Sequence, residues 1–172
     1  MSDLSTMIQR KIRDVRDYPT PGVLFKDITP LLDDPATFAL VVDELAGMHE
    51  VDKIVGIEAR GFILAAPAAY AARAGFVPVR KKGKLPAETY EESYDLEYGS
   101  ATIEVHRDAF AAGDRVLIVD DVLATGGTAA AAVDLVRRAG AEVVGVAVLM
   151  ELAFLKGRER LAGVDVRALV IV

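Results

Sequence analysis

Four short apolar runs punctuate the chain, at residues 53–57 (KIVGI), 76–79 (FVPV), 116–119 (VLIV) and 143–149 (VVGVAVL). Each is rich in β-branched residues and apolar at successive positions. The strands they predict must therefore be covered on both faces, as in a parallel sheet lying between helices. Helices are predicted between them at 62–74 and 129–139, the second favoured by the alanine series that begins at Ala129. Gly75 and Gly140 stand where glycine caps would close these helices. Residues 102–106 alternate polar and apolar, which predicts a half-exposed strand, and 164–172 predict another at the end of the chain. Strands alternating with helices imply an α/β fold: a single domain with an open, mostly parallel sheet flanked by helices. Ligands of such sheets sit beyond the carboxyl ends of the strands, so chemistry is sought just after each apolar run.

Composition narrows the field. The 172 residues contain no cysteine, so neither disulfides nor thiolate metal sites are available, which fits a reducing cytoplasm. A chain of this length buries enough surface to form a core without such staples. Hydrophobic residues make up 52% of it, yet no run approaches the ~20 apolar residues of a membrane helix. Charges interrupt the first 19 residues, so no secretory signal is expected. The net charge of -6 argues against a nucleic-acid partner, although residues 80–84 form a local basic cluster.

The richest chemistry follows the third run. Asp120 and Asp121 end it, and VLATGGT leads into the alanine-rich helix. Ala124, Thr125, Gly126, Gly127 and Thr128 then form a small-residue turn at a helix start. Backbone N–H groups at such a start favour an anion such as phosphate, and threonine hydroxyls add donors. Glycines let the backbone approach a ligand, so a branched side chain at Gly127 is expected to block phosphate. Two carboxylates would repel a bare phosphate, but they can accept hydrogen bonds from hydroxyls. Phosphate at one end with a vicinal diol nearby describes a ribose 5-phosphate. TGGT alone would equally fit an ordinary capped turn. The string is neither a Walker A loop nor a dinucleotide fingerprint, since GKS/GKT and GxGxxG are absent.

VDDVLATGGT resembles the phosphoribosyl-pyrophosphate signature of the type I phosphoribosyltransferases, in the wording of their adenine-using members. The resemblance extends over nearly the whole chain. Residues 18–35 (YPTPGVLFKDITPLLDDP) form by themselves a Pro-rich irregular segment and a capped helix start. They are similar to the family's small N-terminal hood, which implies that Leu24 and Lys26 meet adenine through backbone groups while Phe25 packs on the ring. Many family members carry arginine in place of Lys26. Residues 56–69 (GIEARGFILAAPAA) aim another helix start at the ligand edge, and Arg60 can grip a phosphate with a two-pronged fork. This block resembles the pyrophosphate loop, which implies ligand contacts from Glu58, Ala59 and Arg60 and a strained or cis peptide in that turn.

Two further blocks complete the pattern. A basic run is ordinarily solvated surface, but by resemblance Arg80, Lys81 and Lys84 face the pyrophosphate leaving group. Residues 87–99 (AETYEESYDLEYG) are polar and lack a face to bury, as expected of a loop or lid. They resemble the family's mobile catalytic loop, in which Glu97 is the candidate general acid and Tyr98 its neighbour. Residues 151–161 (ELAFLKGRERL) also match and are expected to support the sheet end. His49 and His106, the two histidines, are not expected to be catalytic.

The resemblance implies transfer of phosphoribosyl from 5-phosphoribosyl 1-pyrophosphate to adenine, giving AMP and pyrophosphate. It also implies Mg²⁺ held mainly through the substrate rather than by direct protein ligands, a homodimer, and basic residues that act across its interface. Two rivals stand beside it: another purine base, or a regulator that senses the sugar pyrophosphate. Only about 18 residues precede the hood, too few for the DNA-binding module such regulators add.

Overall fold

A computed structural model describes residues 3–95 and 99–172. The chain opens with helix α1 (Asp3–Lys11) and a two-stranded antiparallel sheet of β1 (Arg13–Arg16) and β2 (Leu24–Asp27). Two helices follow, α2 (Thr29–Leu32) and α3 (Pro35–Gly47). Asp34 caps α3: its carboxylate accepts the Thr37 N–H at 3.1 Å, and Pro35 starts the helix where no N–H is needed. The hood segment is thus more regular than the Pro-rich sequence suggested.

The rest forms one seven-stranded sheet. Its strands are β3 (Lys53–Ile57), β4 (Gly75–Lys81), β5 (Thr89–Asp95), β6 (Ser100–His106), β7 (Arg115–Leu123), β8 (Glu142–Glu151) and β9 (Val166–Ile171). They lie in the order β5-β6-β4-β3-β7-β8-β9, with β4, β3, β7, β8 and β9 parallel and the β5–β6 hairpin antiparallel at one edge. Helix α4 (Arg60–Ala72) joins β3 to β4 and helix α5 (Gly127–Arg138) joins β7 to β8.

Alternate side chains divide between two cores. Ile54, Leu117 and Ala147 pack with Leu64 of α4 and Val41 of α3 on one face. Val55, Ile118 and Val146 pack with Leu135 and Val136 of α5 on the other. The two crossovers leave neighbouring strands in opposite directions and cover opposite faces. The carboxyl ends of β3 and β7 therefore flank a topological switch point, where open α/β sheets hold their ligands.

Several expectations are corrected. Arg73, not Gly75, closes α4: it takes the left-handed conformation (φ 54°), and the Ala74 N–H bonds back to the Ala69 carbonyl. Gly75 instead begins β4. Strand β7 continues past both aspartates to Leu123, because Val122 and Leu123 still pair with Met150 and Glu151 of β8. Strand β6 is not half-exposed, since Ile103, Glu104 and Val105 are all buried. The polar segment after residue 87 does have a face to bury: β5 pairs with β6, and Tyr90 and Tyr94 pack against the core under α5.

Candidate active site

The phosphate-type turn lies between β7 and α5. Gly126 sits just before the helix with φ +82°, a conformation that favours glycine, and a Cβ there would strike the carbonyl of Gly157. Segment 151–161 thus braces the turn from behind. A cavity of about 70 Å³ is lined by Asp120, residues 122–129 and Val148, so the loop opens onto space shared with the first of the two acids. The N–H groups that open α5 have no partner one turn earlier and are available to an anion. A Cβ on Gly127 would meet the Tyr94 ring at 3.3 Å and Arg160 at 3.4 Å, so its bareness also admits the stem of the β5–β6 hairpin beside the turn.

Asp120 and Asp121 stand side by side at the end of β7. The Asp120 Oδ1 accepts the N–H of Asp121 at 2.8 Å. Burial, and then the neighbouring charge of Asp121, push the Asp120 carboxyl well above its ordinary range. Asp121 is buried and its Oδ2 lies 2.7 Å from Arg60 Nε, an ion pair without hydrogen-bond alignment. Gly61 allows this crowding. A Cβ on it would fall 2.8 Å from Asp120 Oδ1 and 3.0 Å from the Val119 carbonyl, so the start of α4 presses directly on β7.

Arg60 bridges this acid pair to the hood. Its guanidinium lies 4.9 Å from the centre of the Phe25 ring, and Nη1 donates to the Lys26 carbonyl at 3.4 Å. Tyr18 meets Phe25 edge-on at 5.1 Å. Lys26 turns its ammonium away to Asp14 at 2.7 Å, leaving its backbone on the inner side with Arg60, while Leu24 is about half exposed on β2. The structure therefore brings Phe25, Lys26, Arg60 and Asp121 into one contiguous set.

Glu58 and Ala59 lie in the β3–α4 turn, and the peptide between them is cis. The Glu58 carboxylate points at the basic segment, accepting from Lys84 Nζ, from the Lys81 N–H at 3.0 Å and from Arg80 Nε at 3.3 Å. Burial alone would raise its pKa, but the Lys84 ammonium, the Lys81 N–H and the Arg80 guanidinium outweigh it and hold the carboxyl at about 2. Arg80 also donates to the Lys84 carbonyl at 3.3 Å. The basic cluster is thus a folded loop with its charges gathered at the sheet edge, and the exposed Lys81 lies within it. Glu97 and Tyr98 lie outside the described residues.

Two contributions are visible only in the fold. Gly61 is ordinary in a helix start, and only the three-dimensional approach of β7 reveals its purpose. Glu104 falls in the segment expected to be half exposed, and only the pairing of β6 with β4 sets it against the basic run.

The comparisons agree with this geometry. The family described as "Phosphoribosyl transferase domain" matches residues 27–167. Adenine phosphoribosyltransferase of Thermobifida fusca is 63% identical, with 99% of each chain covered. The crystal structure of adenine phosphoribosyltransferase from Rhodothermus marinus is 54% identical and superposes with a TM-score of 0.93 over 98% of each chain. The Saccharomyces cerevisiae enzyme of that name, solved with adenine and an imino-altritol bisphosphate, is 38% identical, with a TM-score of 0.92 over 98% of this chain and 99% of its own. On the matched domain, the near full-length identity and the shared fold, the chain belongs to the adenine phosphoribosyltransferase family.

Proposed function

We propose that the chain transfers the phosphoribosyl group of 5-phosphoribosyl 1-pyrophosphate to adenine, forming AMP and pyrophosphate. The observation that carries the proposal is the pair Asp120–Asp121 near the end of β7, a few residues before the open start of α5. The amides and hydroxyls of residues 124–128 take the 5′-phosphate, and the acid pair accepts the ribose diol. That remote grip fixes the anomeric carbon in place, so binding energy is used for positioning.

Bond breaking leaves positive charge on the ribose and negative charge on the leaving pyrophosphate. Arg80, Lys81 and Lys84 supply cations where that negative charge develops, with Glu58 and Ala59 shaping the loop beside them. Arg60 leaves its ion pair with Asp121 as the ligand enters and turns its fork to the pyrophosphate. Phe25 packs on adenine, and the backbone of Leu24 and Lys26 reads its edge. As N9 bonds to the anomeric carbon and pyrophosphate leaves, the proton of the base's N7–H tautomer passes to the Glu97 carboxylate. In the reverse direction the same carboxyl, its pKa raised, is the general acid that protonates N7, and Tyr98 assists in closing the lid. The lid excludes water that would otherwise capture the cation.

A divalent cation suits this set. Asp121 Oδ2 is buried without an aligned hydrogen-bond partner, and a hard cation prefers such oxygens together with those of the sugar pyrophosphate. Mg²⁺, when bound, neutralises charge on the pyrophosphate and ribose oxygens. The proposed setting is the cytoplasm, in keeping with a chain that lacks cysteine and in which no described helix is long and apolar enough to cross a membrane. A homodimer is proposed on the exposed stripe of α4, where Ile63 and Tyr70 lie 43% and 88% exposed one face apart from the core.

A base panel tests the assignment. With sugar pyrophosphate and Mg²⁺ present, adenine is expected to be consumed and hypoxanthine and guanine left untouched. Turnover of hypoxanthine but not adenine would reject the choice of base.

A further inference from the structure

The basic loop is held from two sides, and only one of them is the Glu58 network described above. On the other side stands Glu104 of β6, 3% exposed. Its Oε1 accepts the N–H of Lys84 at 2.9 Å and that of Leu85 at 2.8 Å. The Gly83 N–H and the Thr89 hydroxyl face the same carboxylate and help to hold it charged. Three successive backbone N–H groups converging on one anion form a concave nest, the kind of site that binds a phosphate oxygen when left open. Here the protein fills it with its own carboxylate. The position is specific: Glu104 pairs with Arg80 on one side and with Glu91 of the lid hairpin on the other.

We propose that Glu104 is a positioning residue for the pyrophosphate half of the substrate, acting through the loop of residues 82–85 to present Lys84 and not by touching the ligand. The proposal rests on the reading of that loop as the pyrophosphate site. Filling the nest has two consequences. The loop's shape is set before substrate arrives, so little ordering remains to be done on binding. The nest's own donors are also withheld from the pyrophosphate, which must then bind the Lys and Arg side chains. Burial alone would raise the pKa of Glu104, but the N–H groups of Leu85, Gly83 and Lys84 and the Thr89 hydroxyl outweigh it and keep the carboxyl below its ordinary range. The group is therefore an anion at working pH and can hold all its donors.

The test compares wild type with Glu104→Gln, which keeps the shape and one accepting oxygen but removes the charge that holds the N–H donors. Thr89→Val is the milder partner, removing one donor and leaving the loop backbone intact. Affinity for inorganic pyrophosphate with Mg²⁺ is measured by titration calorimetry, and KM values for both substrates by initial rates. Glu104→Gln is expected to bind pyrophosphate about 10-fold more weakly, as loss of a charge-assisted bond implies, with Thr89→Val in between. KM for the sugar pyrophosphate should rise while KM for adenine stays unchanged, a split that a mere loss of folded protein would not produce. If Glu104→Gln does not fold, Thr89→Val decides. Pyrophosphate affinities equal to wild type in the folded variants would overturn the proposal. Wild type that binds no pyrophosphate would remove the site reading and this inference together. Wild type that binds pyrophosphate, with weaker variants but no AMP formation, would refute the enzymatic reading and leave the inference standing.

Discussion

At the scale of single residues, the site concentrates cost as well as function. Asp120 is half-buried beside another, fully buried acid, and its carboxyl is pushed up chiefly by desolvation and then by that neighbour's charge. A group whose pKa is raised on folding contributes stability that is complete below its unfolded value, 3.8 here, and is lost as pH rises through the folded value. The raised carboxyl of Asp120 therefore costs the ligand-free protein stability at neutral pH. Asp120→Asn, which keeps the oxygen that accepts the Asp121 N–H, should unfold at a higher temperature than wild type at pH 7, and the difference should vanish by about pH 3. Thermal melts at the two pH values check this, and an unchanged or lower Tm at pH 7 would contradict it. Such trade-offs between stability and binding are common at functional sites. The acid pair was legible in the sequence because two adjacent carboxylates at a strand end have few other uses. Glu104 was not, because its value depends on which loop folds across it.

At the scale of elements, the sequence located every central strand but misjudged where chemistry and framework divide. The apolar run 116–119 marks the buried middle of β7, yet pairing with β8 carries the strand through the acids to Leu123. The acids are thus fixed on a strand, more rigidly than a loop could hold them. The segment after residue 87 misled more seriously, since its tyrosines are spaced too widely among polar residues to show a buried face. In the fold, Tyr94 reaches Gly127 and the hairpin is tied to α5 by Arg138, which donates to the Glu91 carbonyl at 2.6 Å and pairs with Glu92. The stem of the proposed lid therefore rests on α5, the helix proposed to receive the 5′-phosphate. Arg138→Ala should cost only about 1 kcal/mol of global stability, since the pair is largely exposed. Amide exchange of residues 89–95 should quicken more than that of β3 or β7, as local opening predicts. Hydrogen exchange read by mass spectrometry distinguishes the two regions, and uniform change across the chain would argue against a local latch.

At the scale of the whole molecule, crossovers of opposite direction meet between β3 and β7, and the Glu58–Arg60 turn and the acid pair lie together at that end of the sheet. Fold class followed from the alternation of apolar runs and helices, and the place of the site from the rule about strand ends. The proposed association surface did not, because Ile63 and Tyr70 look like ordinary members of an apolar helix until the other face of α4 is seen to be filled. Ile63→Glu combined with Tyr70→Glu should convert a dimer to monomers with an unchanged circular dichroism spectrum. Sedimentation velocity measures this, and a wild-type protein already monomeric at micromolar concentration would refute the dimer. The central claim is that the acid pair and the turn beyond it grip a ribose 5-phosphate for transfer to adenine. Its most direct measurement is the rate of AMP formation from adenine and 5-phosphoribosyl 1-pyrophosphate by wild type and by Asp120→Ala/Asp121→Ala, with folding of both verified. Hydrogen bonds to charged groups are worth roughly 1.5–3 kcal/mol each, so losing two should lower kcat/KM by about 10²- to 10⁴-fold. A folded double variant that makes AMP at the wild-type rate would contradict the account.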